Sequence, residues 1–297
     1  MHSTTPVTPL SLADVVDLKE TGDGRYLATA VDRSSGPRVF GGQLVAQALA
    51  AAGRTVPDGR VPHSLHGHFL DAADPEEPTE YTVDVVRDGR AQAVRYVRGR
   101  QGSSEVFALT ASFAAAAPSG PVLEHQVPTS PVPDFDAVES VAETLARADA
   151  RLGEWFSTRI TPKPVEVRFV DRPARDYVLQ GDEAPRRQQV LIRIRDRLGD
   201  DPIQQACGLA YFSDMFLLST AVYPHRAIIG DRSLLVASLD HAVWFHGPVQ
   251  ADEWLLYVME SDWAGAGRGL CRGRLFDAAG RLVATVAQEG LVKPVSR

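Results

Sequence analysis

The sequence predicts an α+β protein made of two similar halves, each with one long buried helix wrapped by an antiparallel β-sheet. Two observations predict this arrangement. Each half contains one apolar run long enough for a helix, followed by four strand-like runs. Short motifs of the first half also recur in the second half, 171–176 positions later. The chain has 297 residues, which suits two domains of ordinary size.

The composition is that of an ordinary globular protein and narrows the function classes. Hydrophobic residues make up 44% of the chain and the formal net charge is −7, a balance that argues against dedicated nucleic-acid binding. The cysteines, Cys207 and Cys271, lack the spacing of a disulfide scaffold or a zinc module. The longest apolar stretch, 206–222, carries Asp214 near its centre, so no membrane span is expected. No signal peptide is recognisable, and the expected location is cytoplasmic.

The first half is predicted to span residues 8–117. Its helix, 42–56, is apolar on every side and must therefore be covered on every side. Asp88-Gly89 and residues 102–104 are typical of hairpin turns. Four strands are predicted in this half, at 61–70, 81–87, 90–100 and 105–115.

A linker is predicted between the halves, over residues 118–159. Five prolines stand between Pro118 and Pro133, and such a segment cannot continue a helix or an inner strand. A weakly amphipathic helix is expected at 136–152.

The second half is predicted to span residues 160–294 and to repeat the plan of the first. One apolar helix is expected over 203–222, and residues 277–280 form a turn between the last two strands. Four strands are predicted here, at 234–246, 254–261, 269–276 and 281–291.

Three local matches between the halves indicate duplication. Residues 64–66 (Ser-Leu-His) match 238–240 (Ser-Leu-Asp), and 111–112 (Ala-Ser) match 287–288 (Ala-Gln). Residues 40–43 match 211–214, which makes Gln43 the repeat partner of Asp214. One buried helix wrapped by an antiparallel meander is the hotdog architecture, and two fused copies form a double hotdog.

Three polar residues interrupt apolar runs and are candidates for chemistry. Asp214 lies in a strongly apolar segment, where a carboxylate either caps a short helix or is held for acid–base work. Gln288 and Ser238 interrupt predicted strands, and each is either a hydrogen-bonded core residue or part of a site.

Histidines and arginines provide weaker signals. His63, His66 and His68 form the densest histidine cluster, but no carboxylate or cysteine accompanies them at a ligand spacing, so half-buried strand histidines are expected and no metal site. His241 and His246 are interpreted in the same way. Two strands carry rows of arginines. We interpret these rows as solvated strand faces, and the alternative is a binding site for the phosphates of a substrate. These rows are Arg95, Arg98 and Arg100, and Arg268, Arg272 and Arg274.

The sequence resembles the type II acyl-CoA thioesterases, a double-hotdog family of acyl-CoA hydrolases. Matching blocks follow one another at the family's spacing over about residues 38–292. In the first half they are Val39–Leu49, His63–His66, Phe69-Leu70, Arg87–Arg90 and Ala111–Phe113. In the second half they are Leu209–Tyr211, Ser213-Asp214, Ser238–His246, Trp254–Tyr257, Arg268–Leu270 and Gln288–Gly290.

The resemblance implies a catalytic trio of Asp214, Ser238 and Gln288. Asp214 would accept a proton from one water, which Ser238 and Gln288 orient for attack on the thioester carbonyl. The implied substrate is a medium- or long-chain or related acyl-CoA, without metal or organic cofactor, and a homo-oligomer is expected. Because Gln43 is neutral, one active centre per chain is expected.

Departures from the family pattern leave the substrate open. Serine stands at 238 where the best-known members have threonine, Ala91-Gln92 replaces a usual Ser-Phe, and residues 71–74 replace a Pro-Gly-Asp turn. One alternative is therefore a hotdog enzyme that acts on a specialised polyketide-type or carrier-bound thioester. The other is a non-catalytic acyl-CoA-binding double hotdog, which would tolerate loss of the trio.

Overall fold

A computed structural model describes residues 10–30, 32–115, 123–127 and 132–295. Within these ranges, thirteen strands form one antiparallel sheet. The two longest helices pack against each other and against the strands of their own halves. The α+β class and the double-hotdog fold are confirmed.

The first half contributes two helices and six strands among the described residues. A single 3₁₀ turn, Arg33–Ser35, precedes the second helix. In chain order the elements are α1 (Leu12–Val15), β1 (Leu18–Gly22), β2 (Arg25–Ala28), α2 (Gly41–Gly53), β3 (Arg60–Phe69), β4 (Thr79–Asp88), β5 (Gln92–Gln101) and β6 (Ser104–Ala115).

The connecting segment and the second half supply the remaining elements. In chain order they are α3 (Val141–Arg147), α4 (Ala150–Arg159), β7 (Val165–Phe169), α5 (Ala174–Leu179), β8 (Arg187–Ile194), α6 (Pro202–Ser213), α7 (Ser219–Val222), β9 (Leu234–Ser238), β10 (Asp240–Phe245), β11 (Leu255–Gly265), β12 (Arg268–Phe276) and β13 (Leu282–Pro294). A 3₁₀ turn, Tyr223–His225, follows α7.

The strand order repeats between the halves. From its outer edge to the centre, the first half runs β1-β2-β4-β5-β6-β3, and the second runs β7-β8-β11-β12-β13-β10. The halves join where β3 and β10 pair, with Ala242 opposite His66. Apart from β9, which pairs with β13 beside this order, each strand of one half has a counterpart in the other, which is the arrangement expected of a duplicated unit.

Helices α2 and α6 run antiparallel at the centre and approach each other closely. The start of α2 meets the end of α6, because a Cβ on Gly42 would lie 2.1 Å from the carbonyl oxygen of Tyr211. At the opposite end, a Cβ on Gly53 would lie 2.7 Å from Ile203. All residues of α2 after Gly41 are buried, as expected for a helix without a polar face.

The prediction of one continuous helix over 203–222 is wrong, and the break bears on function. Helix α6 ends at Ser213, whose hydroxyl donates a hydrogen bond back to the Ala210 carbonyl, 3.0 Å away. Phe216 has a left-handed backbone (φ +66°), which a helix cannot contain. Asp214 therefore lies in the break between α6 and α7.

The single strand predicted at 234–246 is also two strands. β9 pairs with β13 over Ser238–Leu234, and β10 pairs with both β13 and β3. At the break, Leu239 donates to the Glu289 carbonyl, 2.9 Å away, while its own carbonyl accepts from Phe69. β9 and β10 thus pair with successive stretches of β13 and are separated at Leu239.

Two further expectations need correction. The predicted helix at 136–152 is two helices, α3 and α4, because Ser140 and Asp149 each cap a new first turn. The match of 40–43 with 211–214 is wrong as a structural repeat, since it aligns the start of α2 with the end of α6. Four of the five linker prolines, Pro118, Pro121, Pro128 and Pro131, lie outside the described residues.

Candidate active site

The break after α6 brings Asp214 to the first turn of α2. Its carboxylate Oδ2 accepts a hydrogen bond from the Gly42 backbone N–H at 2.8 Å. The residue before α2, Phe40, provides no side-chain cap, so Asp214 supplies one from the other half. Asp214 thus does cap a helix, as one of the two hypotheses predicted, but the helix is α2 of the other half and not a short helix near Asp214.

Gln288 and Ser238 meet Asp214 at the same place. The Gln288 side-chain Nε2 donates to Asp214 Oδ1 at 2.5 Å and lies 3.1 Å from Ser238 Oγ. Gln288 projects from β13 and is buried, whereas Ser238 ends β9 and is half-buried. The three polar residues selected from the sequence therefore converge, although they are far apart along the chain.

A buried ion pair supports this junction. Lys163 Nζ pairs with Asp32, and Tyr211 of α6 donates to the same Asp32 carboxylate at 3.2 Å. Burial lowers the pKa of Lys163. Burial would raise the pKa of Asp32, but the charge and hydrogen bond of Lys163, with hydrogen bonds from Ser34, hold it below its usual value. The pair ties the segment before α2 to the second half.

His241 is a residue of this site that sequence reasoning assigned to an ordinary strand. It is completely buried, and its Nε2 lies 2.8 Å from Ser213 Oγ. Its Nδ1 lies 4.0 Å from Asp214 Oδ1. Burial lowers the pKa of His241. Its place one residue after Asp240, in the same motif as Ser238, was the available signal.

A cavity of about 550 Å³ opens above Asp214 and Ser238. Its wall is mostly apolar, with Arg38 and Asp71 as charged residues. The apolar side chains that line it include Phe40, Leu44, Phe69, Phe216, Leu218 and Leu239. Such a cavity suits an apolar chain whose polar end lies against the carboxylate.

Comparisons with known proteins agree with this geometry. Residues 162–291 match the model of a family described as acyl-CoA thioesterase, and residues 29–114 match that of the acyl-CoA thioesterase N-terminal domain. The chain belongs to the type II acyl-CoA thioesterase family. Within this thioesterase family, human acyl-coenzyme A thioesterase 8 is 38% identical over 86% of this chain and 81% of its own length.

Bacterial relatives and solved structures extend the comparison. Acyl-CoA thioesterase 2 of Haemophilus influenzae is 35% identical over 86% of this chain and 88% of its own length. The crystal structure of an acyl-CoA thioesterase II from Mycobacterium marinum is 34% identical, with a TM-score of 0.73. That match covers 96% of this chain and 98% of the other. The described residues contain no helix long and apolar enough to cross a bilayer.

The histidine cluster of this thioesterase differs from expectation. His63, His66 and His68 are exposed rather than half-buried. A carboxylate does accompany them, because Asp240 on β10 lies 3.2 Å from His66 Nε2. The other oxygen of Asp240 accepts from the Glu289 backbone N–H at 2.7 Å. Asp240 therefore links β3 of the first half to β10 and β13 of the second.

The arginine rows have carboxylate partners of their own. Arg95 is buried rather than solvated, and it binds Thr55 Oγ1 at 2.8 Å and Asp88 at 2.8 Å. The remaining pairs are Arg98–Asp84, Arg100–Glu105, Arg268–Glu289, Arg272–Asp262 and Arg274–Glu260. Cross-strand pairing therefore accounts for these rows without substrate phosphates.

Proposed function

We propose that this protein hydrolyses medium- or long-chain or related acyl-CoA thioesters to the free acid and CoA, with Asp214 as the general base. The observation that carries the proposal is the convergence of Asp214 and Ser238, both of which line an apolar cavity, on the buried side chain of Gln288. A carboxylate that is fixed at both oxygens and open to a cavity is well placed to take a proton from water.

The proposed chemistry is a direct attack by water. One O–H bond of the water breaks as its oxygen bonds to the thioester carbonyl carbon, and Asp214 takes the proton. The tetrahedral intermediate then collapses, the C–S bond breaks, and the proton passes from Asp214 to the departing sulfur. Ser238 and Gln288 orient the water, since their polar atoms lie within hydrogen-bonding distance of each other.

The first turn of α2 also supports this mechanism. The Gly42 N–H holds Asp214 in one orientation, and the positive end of the helix favours a carboxylate there. The apolar wall would exclude bulk water around the thioester, so that the ordered water attacks in a low-dielectric site.

A thiol-release assay tests the proposal. Purified full-length protein is mixed with acyl-CoA substrates of increasing chain length, and free CoA is measured with a thiol reagent. The expected result is turnover that rises with chain length as the apolar cavity fills. Turnover only with carrier-bound thioesters would favour the specialised enzyme, and tight binding without thiol release would favour the non-catalytic alternative.

We propose the same domain limits as the sequence predicts, 8–117 and 160–294 with a linker at 118–159. The matched order of the strands in the two halves supports them. Limited proteolysis is expected to cut first between residues 118 and 133, and initial cleavage inside β3 or β13 would contradict these limits.

A cytoplasmic location and a homo-oligomeric state remain proposals. Two free, buried cysteines suit a reducing compartment. Val85 and Val86 are 58% and 60% exposed on β4, and such apolar side chains suit contact with a second copy. Cell fractionation tests the location, and light scattering after size exclusion tests the assembly, which a monomeric mass at micromolar concentration would contradict.

A further inference from the structure

The side chain of His241 faces the proposed base with one unpartnered nitrogen. Its Nδ1 is buried and makes no hydrogen bond among the described residues, and it lies 4.0 Å from Asp214 Oδ1. A buried polar atom without a partner costs about 1–3 kcal/mol, so its place beside the site needs a reason.

Hydrogen bonding assigns the proton of the neutral imidazole to the other nitrogen. The Ser213 hydroxyl has a single hydrogen, and it donates that hydrogen to the Ala210 carbonyl at 3.0 Å. With that arrangement Ser213 Oγ accepts from His241 Nε2, 2.8 Å away, and on this ground we assign the ring proton to Nε2. Nδ1 is then unprotonated, and its lone pair faces a carboxylate oxygen. These two acceptor atoms attract each other only when a proton lies between them.

We propose that His241 is a positioning residue that acts through Asp214, by sharing at Nδ1 the proton that Asp214 takes from water. This inference rests on the proposed hydrolysis. The proton leaves water for Asp214 Oδ1, passes to Nδ1 when these two atoms, 4.0 Å apart in this structure, approach to hydrogen-bonding distance, and returns through Asp214 to the sulfur as the C–S bond breaks. No other reactant is required.

The charges around His241 suit this role. Asp214 follows α6, Asp240 precedes His241 on β10, and His66 approaches from β3, while β13 presents the neutral Gln288. Burial lowers the pKa of His241, so the imidazole is uncharged at neutral pH and able to accept a proton. The two nearby carboxylates favour the charged imidazolium that forms during the reaction.

The kinetic experiment compares wild type with His241→Gln, which replaces the imidazole with a neutral amide of similar length that cannot hold the proton. We expect kcat to fall about 10²-fold with KM nearly unchanged, at the lower end of the range for losses of proton-transfer catalysis, because Asp214 can still take the proton. The fall of kcat at acid pH should also move to lower pH, because protonation of the imidazole no longer blocks the site. His246→Gln is the matched control, since His246 is exposed and bonds Thr285 at 2.7 Å, and its kcat and pH profile should equal those of wild type.

A lower kcat with an unchanged pH profile would overturn the inference and leave His241 as a packing residue. Circular dichroism checks folding, and His241→Asn replaces His241→Gln if the latter fails to fold.

Nitrogen NMR tests the pairing independently of turnover and so separates its failure from failure of the proposed hydrolysis. The His241 signal, assigned by its loss in the variant, should have the shift of an imidazole protonated at Nε2 and should move in Asp214→Asn. An Nδ1-protonated ring, or a His241 chemical shift that is unchanged in Asp214→Asn, would contradict the inference whatever the wild-type activity.

Discussion

The two ends of the central helix pair share a geometry but differ in chemistry. At one end α6 is followed by Asp214, which binds the first turn of α2. At the other end α2 is followed by Arg54, which bonds the Leu18 carbonyl and lies 5.6 Å from the centre of the Tyr26 ring. A cation is the favourable charge at the end of a helix, and a carboxylate is the unfavourable one.

This difference explains why the proposed active centre lies at only one end. Helix α6 begins with its own cap, Asp201, whereas α2 begins without a side-chain cap of its own. The uncapped N–H of Gly42 accommodates the carboxylate that α6 places there. We still expect one active centre per chain. The reason is that the cation Arg54, rather than a carboxylate, follows α2 at the other end, and not that Gln43 is neutral.

The buried ion pair beside the active end should matter more to stability than the exposed cation at the other end. Lys163→Met leaves the Asp32 carboxylate buried without its cation, and we expect the free energy of unfolding to fall by about 3–5 kcal/mol. Arg54→Met is the control and should cost about 1 kcal/mol or less, because Arg54 is exposed. Urea unfolding measures both, and equal losses would contradict the asymmetry.

Removal of the amide that links the trio should affect catalysis at the active end alone. Gln288→Ala deletes the donor to both Asp214 and Ser238, and we expect kcat to fall about 10²-fold. Ser112→Ala, at the matched position of the first half, should leave kcat within about twofold, since Ser112 contacts Gln92 and His63 instead. The thiol-release assay compares them, and a similar loss in both would place a function in the first half.

The close approach of the helices is tighter at the active end. A Cβ at Gly42 meets a backbone oxygen, so Gly42→Ala should lower the free energy of unfolding by about 2–3 kcal/mol and reduce kcat as well. A Cβ at Gly53 meets only the Ile203 side chain, which can rotate, so Gly53→Ala should cost about 1 kcal/mol with kcat retained. Thermal unfolding of the two variants, measured side by side, would refute this ranking if Gly53→Ala were the less stable.

The smallest effect on kcat is expected from substitutions of Ser238, which alter or remove its hydroxyl. Ser238→Thr keeps the oxygen that faces Gln288 and adds one methyl group at the half-buried end of β9, so kcat should stay within about threefold. Ser238→Ala removes the oxygen and should lower kcat about tenfold. Equal rates for both variants would show that the hydroxyl does not orient the water.

The fold could be predicted because its signals are local. Helix α2 and strand β4 were predicted from an apolar run without a polar face and from the hairpin turn Asp88-Gly89. Both begin and end within a few residues of the predicted bounds. The break after Ser213 could not be predicted, because the hydrogen bonds that favour it come from Gly42 and Gln288 in distant elements.

The three central residues of the candidate site could be predicted from the sequence, but the buried residues that surround Asp214 could not. Asp214, Ser238 and Gln288 are conspicuous as polar residues in apolar runs. Lys163 and His241 are not, since a lysine in a loop and a histidine in a strand have ordinary solvated alternatives. Only the packing of α6 on α2 and β10 reveals that both are buried beside Asp214.

The most direct test of the central claim is turnover by Asp214→Asn. Asparagine keeps the size of the side chain and an oxygen that can accept from Gly42, but it cannot take a proton from water. With folding confirmed by circular dichroism, we predict that thioester hydrolysis falls about 10²–10⁴-fold relative to wild type. Near-normal turnover in a folded Asp214→Asn protein would contradict the account and leave Asp214 as a cap for helix α2.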